Sequence, residues 1–187
     1  MTNKKIAVIV GSPRKASITR KMAQALMTMA PGSFDMQIVD ITQLPFYNQD
    51  LEDAGTPPSA WLEFREQIKG VDGLLFVTPE YNRGLPALLK NALDVGSRPL
   101  GKGVWSGKPG AVVTVSPGPL GGFGANHSLR QSLVFLNVPC MQQPEAYIGG
   151  AAALFDADGK LTNDSTREFL GKYMSAFAAW VETHTNK

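Results

Sequence analysis

The chain has 187 residues, 43% of them apolar and 18% charged, with a formal charge of +2. A domain of this length buries an adequate core without disulfides or metal, and the composition is not that of a disordered chain. Lysines and arginines are scattered, which argues against a nucleic-acid surface, and no apolar run is long enough to span a bilayer.

In chain order, the first predicted element is a strand over 5–10, whose run Ile6 to Val10 is continuously apolar. That run follows lysines but is shorter than a signal-peptide core, and no small-residue cleavage site follows it. The expectation is therefore a cytoplasmic protein. Ser17 is placed to cap a helix in which Ile18, Met22, Leu26 and Met29 share one face. A second strand is predicted over 34–40. After Pro57-Pro58-Ser59, Trp61, Phe64 and Ile68 mark another helix, and a third strand follows over 73–78. Pro86 opens a helix carrying Leu88, Leu89, Ala92 and Leu93. A fourth strand is predicted over 110–116, then a helix with Leu129, Leu133 and Leu136, then a fifth strand over 138–142. Within that last run, Cys140 is the one cysteine, so no intrachain disulfide is possible, and it reads as a small buried hydrophobe. A stripe from Phe169 through Tyr173, Phe177 and Val181 closes the chain as a helix.

The first, third and fourth strands are continuous Val- and Ile-rich runs, as central parallel strands covered on both faces require. Strand and helix in alternation define an α/β, doubly wound sheet, expected as a single domain over 1–187. Five strands suggest the flavodoxin-like order 2-1-3-4-5, with the ligand at the carboxyl ends of the strands. Two long loops, 43–58 and 148–163, are open to either a functional role or a wrapping and subunit-contact role.

Function in such a sheet belongs to the loops after strands one, three and four. The first is Gly11-Ser12-Pro13-Arg14-Lys15-Ala16-Ser17. Its serine hydroxyls and arginine fork, next to a helix N-terminus, are the parts of a phosphate site, without the spacing of a Walker A or dinucleotide loop. The second, Thr78-Pro79-Glu80-Tyr81-Asn82-Arg83-Gly84-Leu85-Pro86, reads as a rigid extended loop that can present backbone groups to a flat heterocycle. The third, Ser116-Pro117-Gly118-Pro119-Leu120-Gly121-Gly122-Phe123-Gly124, suggests close backbone approach to a ligand.

Taken together, Gly11-Ser12-x-Arg14-x-x-Ser17, Pro79-Glu80-Tyr81-Asn82 and Lys90-Asn91-Ala92-Leu93-Asp94 resemble the NADPH-dependent FMN reductase family, and within it the bacterial quinone and chromate reductases. Leu44-Pro45-Phe46-Tyr47-Asn48-Gln49-Asp50 is similar to that family's loop after strand two. The resemblance implies non-covalent FMN, with Ser12, Arg14, Ser17 and Thr19 on its phosphate. It places Pro79, Glu80, Tyr81 and Asn82 along the isoalloxazine, and Ser116 and Gly118 at the other edge. NADPH or NADH is the implied co-substrate. The acceptor is a small molecule such as a quinone, flavin, azo or nitro compound or metal oxyanion. Self-association as a dimer or tetramer is implied, and neither nucleic acid nor membrane is an expected partner. Relatives carry a second aromatic where Arg83 stands. In tetrameric relatives an Arg and a Tyr from the helix after the glycine loop join a cross-subunit hydrogen-bond network; the nearest positions here are Gly124 and His127, whereas Glu145 is retained. His127 is expected to cap or pack near the glycine loop, and His184 to lie at the surface. The flavin would carry the redox step, with nicotinamide and acceptor exchanging at one ring face in a ping-pong scheme, so no catalytic side chain is expected. The competing reading is a flavodoxin-type electron carrier or flavin-dependent interaction module, against which the slightly basic charge weighs. A receiver domain is excluded because Gly11-Ser12 and Thr78-Pro79 occupy the positions its acidic cluster needs.

Overall fold

The computed structural model describes residues 3–185, so the expected domain limits at 1 and 187 lie outside it. One five-stranded sheet runs through the molecule in the order β2-β1-β3-β4-β5, all parallel. Its strands are β1 Lys4–Val10, β2 Phe34–Val39, β3 Gly73–Pro79, β4 Gly110–Val115 and β5 Ala146–Ile148. The helices are α1 Ile18–Thr28, α2 Gln49–Asp53, α3 Ser59–Lys69, α4 Ala87–Gly96, α5 Phe123–Phe135 and α6 Asp164–Thr185.

Side chains alternate along a strand, so each central strand supplies both cores. Ile6, Val8 and Val10 of β1 join Leu75 and Val77 against Met22 and Leu26 of α1 and Tyr173 and Phe177 of α6. Ala7 and Ile9 join Leu74 and Phe76 against Trp61 of α3, Leu89 of α4 and Leu129 of α5. Every residue of β4 is buried, which is why its sequence is apolar without alternation.

The expected fifth strand over 138–142 is corrected. Cys140 makes a single bridge to Gly110, and regular pairing resumes only at Ala146, opposite Val113. Pro139 has no N–H to donate to a ladder. The edge chain also advances from Cys140 to Ala146 while β4 advances only from Gly110 to Val113, so the surplus residues leave the sheet. The two long loops hold short elements that periodicity does not reveal: α2 in the first, and a 3-10 turn, Ala151–Leu154, in the second.

The first loop is tied down by buried polar groups. Asn91 of α4 accepts the Tyr47 N–H at 2.8 Å and donates to the carbonyls of Leu44 and Pro45 at 3.2 and 3.1 Å. Arg65 of α3 is 5% exposed, pairs with Glu52 of α2, and donates to the Val95 carbonyl at 2.9 Å. Among the described residues no helix is long and apolar enough to cross a membrane.

Candidate functional site

The carboxyl ends of β1, β3 and β4 bring the three loops together around a cavity of about 220 Å³. Its wall contains Ser12, Arg14, Ser17, Thr19, Pro79, Glu80, Tyr81 and Ser116. Of the positions predicted from sequence, Asn82 and Gly118 stand outside that wall, and Ile18, Val115 and Pro117 line it without having been singled out. These last are apolar or conformational residues, which carry no chemical signal in a sequence.

The first loop is built for an anion. Gly11 leaves β1 so close to β3 that an added Cβ would lie 2.3 Å from the Thr78 hydroxyl oxygen. The chain then enters α1, where Ser17 Oγ accepts the Arg20 N–H at 3.2 Å. No acidic residue occupies the first turn of α1, so its positive end is uncompensated. Ser12 and Thr19 are each 4% exposed, yet no hydrogen bond to either side chain exists among the described residues, and none to Arg14. A cradle of unpartnered hydroxyls, a free guanidinium and helix N–H groups fits a phosphate. The cavity above it, edged by Tyr81 and Ser116, fits the remainder of a mononucleotide at the switch point of the sheet.

The second loop differs from the extended form expected for it. Tyr81 and Gly84 exchange N–H and carbonyl hydrogen bonds at 3.1 and 2.9 Å, and the two residues between them, Asn82 and Arg83, have φ of 51° and 67°. This is a tight two-residue reversal of the hairpin kind, in which both central residues are left-handed. Asn tolerates that conformation; for Arg83 it is strained. Glu80 turns away from a ligand role for its carboxylate: Oε2 accepts the Ala125 N–H in the first turn of α5 at 3.0 Å, and Oε1 lies 3.6 Å from Arg83.

In the third loop, packing within the protein explains much of the glycine content. At Gly121, with φ of +60°, a Cβ would lie 2.4 Å from the Tyr147 carbonyl carbon. At Gly124 it would lie 2.6 Å from the Arg83 carbonyl oxygen. Gly118 has ordinary space, its nearest neighbour being Ser116 Oγ at 3.5 Å, and its N–H donates to that oxygen at 3.0 Å.

Beside this loop, Phe123 packs on His127 and Tyr147 with ring centroids 4.3 and 5.3 Å apart, and His127 Nε2 lies 3.1 Å from the Tyr147 hydroxyl. Burial and the neighbouring Glu145 push the Tyr147 pKa up to about 12. Deeper in, Arg130 donates to Asn126 at 2.8 Å and to the Met141 carbonyl at 2.9 Å, and its Nη1 approaches Cys140 Sγ at 3.4 Å. Burial raises the Cys140 pKa, so the thiol is held neutral, in keeping with a packing residue. His184 packs on Trp180 at the far end of α6. No group of metal-binding side chains exists among the described residues.

A parallel sheet in the order 2-1-3-4-5, with a cavity among the loops at the carboxyl ends of β1, β3 and β4, defines a flavodoxin-like fold. The model of the NADPH-dependent FMN reductase family matches residues 4–153, and the chain belongs to that family. A quinone reductase of Pseudomonas putida is 62% identical, over 95% of this chain and 94% of that protein. A 2-hydroxy-1,4-benzoquinone reductase of a Burkholderia species is 46% identical, over 95% and 96%. Among solved structures, a flavoenzyme NAD(P)H:(acceptor) oxidoreductase from Paracoccus denitrificans superposes with a TM-score of 0.90 at 39% identity, covering 97% of this chain and 98% of that one.

Proposed function

We infer that this protein is a cytoplasmic FMN-dependent oxidoreductase that uses NAD(P)H to reduce quinones by two electrons. The observation that carries this reading is the cradle after β1: Arg14, Ser12 and Thr19, whose side chains have no hydrogen-bond partner among the described residues, at an uncompensated helix N-terminus. It is strengthened by membership of a family named for FMN reduction and by relatives named as quinone reductases.

Ser12, Arg14, Ser17 and Thr19 bind the phosphate of FMN, held non-covalently. Pro79, Tyr81 and Asn82 flank the ring, and Glu80 supports it through its backbone while its carboxylate holds α5 in place. Ser116 and Gly118 approach the opposite edge. FMN held there would supply the two-electron redox chemistry that links NAD(P)H to a quinone. Tyr81, 45% exposed, leaves the cleft open for those two visitors, and its ring shields one side from water. The chain self-associates as a dimer or tetramer. Phe46 and Leu100, 77% and 85% exposed, are apolar side chains that such an interface would cover. Light scattering at micromolar concentration then gives at least twice the mass of one chain.

Initial rates at varied NAD(P)H and quinone should give parallel double-reciprocal lines, since the substrates occupy one site in succession. Intersecting lines mean a ternary complex and overturn the shared site. Reduction only in the presence of a protein donor returns the assignment to an electron carrier.

A further inference from the structure

Arg83 is not among the residues that line the cavity, yet the fold holds it at a cost. Its φ of 67° follows a second left-handed residue, Asn82, and an arginine there has none of the tolerance of glycine. Its guanidinium is 74% exposed and only loosely paired, 3.6 Å from a Glu80 carboxylate whose other oxygen is already committed to the Ala125 N–H. The backbone of this turn presses on the first turn of α5, since a Cβ on Gly124 would lie 2.6 Å from the Arg83 carbonyl oxygen. That same helical turn begins with Phe123, which is 53% exposed although it packs on His127 and Tyr147. An exposed cation paired only with Glu80 and an exposed aromatic shelf therefore both stand at the first turn of α5, next to the Glu80–Tyr81 edge of the cleft. The other charged groups near the shelf are Glu80, spent as described, Glu145, which engages Tyr147, and Arg130, whose charge reaches Tyr147 while its guanidinium donates inward to Asn126 and the Met141 carbonyl.

We propose that Arg83 and the Phe123–His127–Tyr147 shelf form an acceptor subsite that selects planar quinones carrying an ionised hydroxyl group. This rests on the quinone reductase reading above. The ring lies on the aromatic shelf, and the guanidinium meets the delocalised oxyanion, a pairing Arg makes better than Lys because its fork is planar. A neutral quinone of the same shape gains the shelf but not the charge.

The test compares 2-hydroxy-1,4-naphthoquinone, ionised at pH 7.5, with its neutral 2-methoxy analogue. Binding to the oxidised, FMN-loaded protein is measured by calorimetry without NAD(P)H, and turnover separately. The wild type should bind the anion roughly tenfold more tightly than the methoxy compound, a preference that shrinks as salt is raised. Arg83→Gln should abolish the preference, and Arg83→Lys should restore part of it. Phe123→Ser should weaken both compounds and keep their ratio. A wild type without preference, or a preference that survives Arg83→Gln, overturns the proposal. So does a matching change in the NADPH-to-NADH affinity ratio, which would assign Arg83 to the nucleotide phosphate. If neither quinone is reduced at all, the quinone reductase reading itself fails; if both are reduced without discrimination, only the subsite does.

Discussion

On the proposed reading, Arg14 should matter most for cofactor retention, because it is the one positive charge in the cavity wall and has no hydrogen bond or ion pair among the described residues. A charge-assisted hydrogen bond contributes about 1.5–3 kcal/mol, which is roughly tenfold or more in affinity. Arg14→Ala should therefore weaken FMN at least tenfold in equilibrium dialysis of the apoprotein, and riboflavin, which lacks the phosphate, far less. Equal losses for the two would place Arg14 away from the phosphate. That Arg14 would line the site was legible in the sequence, because it stands in a serine-containing turn between strand and helix, and the structure puts it in the cavity wall. Glu80 was legible only as a member of a motif. Its carboxylate is spent on the Ala125 N–H, a partner far along the chain that no local pattern announces.

Among the elements, the 43–58 loop takes three of its anchoring hydrogen bonds from one side chain of α4. Asn91 satisfies one N–H and two carbonyls of that loop from within α4, and it is 6% exposed. Asn91→Leu keeps the volume but leaves these groups unpaired. The expected loss is about 1–3 kcal/mol in urea unfolding, with faster proteolytic cleavage inside the loop than elsewhere. Cleavage that stays at the wild-type rate would show that the Arg65–Glu52 pair and the Trp61 contact to Pro45 anchor the loop without Asn91. In the sequence Asn91 appears as part of Lys90-Asn91-Ala92-Leu93-Asp94, on a helix whose apolar stripe is plain. That its amide faces the interior follows from helical spacing, but the identity of its partners does not. The fifth strand shows the same division. Val138 to Gln142 has strand-like composition, but pairing needs donors at the right register, and Pro139 and the surplus residues before Ala146 withhold them.

At the scale of the whole molecule, stability should fall above about pH 10, where unfolded tyrosines ionise. Tyr173 is fully buried and donates to the Val112 carbonyl at 2.9 Å, and burial raises its pKa. Cys140 and Tyr147 are shifted the same way. In each case the folded state keeps a proton that the unfolded state has lost. Stability present below the unfolded pKa therefore drains away as pH climbs toward the folded one. Burial of Lys108 lowers its pKa and acts in the opposite sense, offsetting part of the slope. Tyr173→Phe should cost about 1 kcal/mol at pH 7 through the lost hydrogen bond, and should flatten the alkaline slope by about one proton. Urea midpoints between pH 7 and 11 measure both, and an unchanged slope would mean that Tyr173 ionises in the folded protein as it does in the open chain. The sequence alone determined the alternation of strands and helices, the doubly covered central strands and the capped turn from β1 into α1, because each is written in local periodicity, capping and turn chemistry. Only the tertiary structure decided where β5 pairs, why Gly121 and Gly124 must be glycine, and how Arg83 comes to stand beside Phe123. Those outcomes depend on close contacts between segments far apart in the chain, and their geometry exists only once the sheet has closed around its two cores.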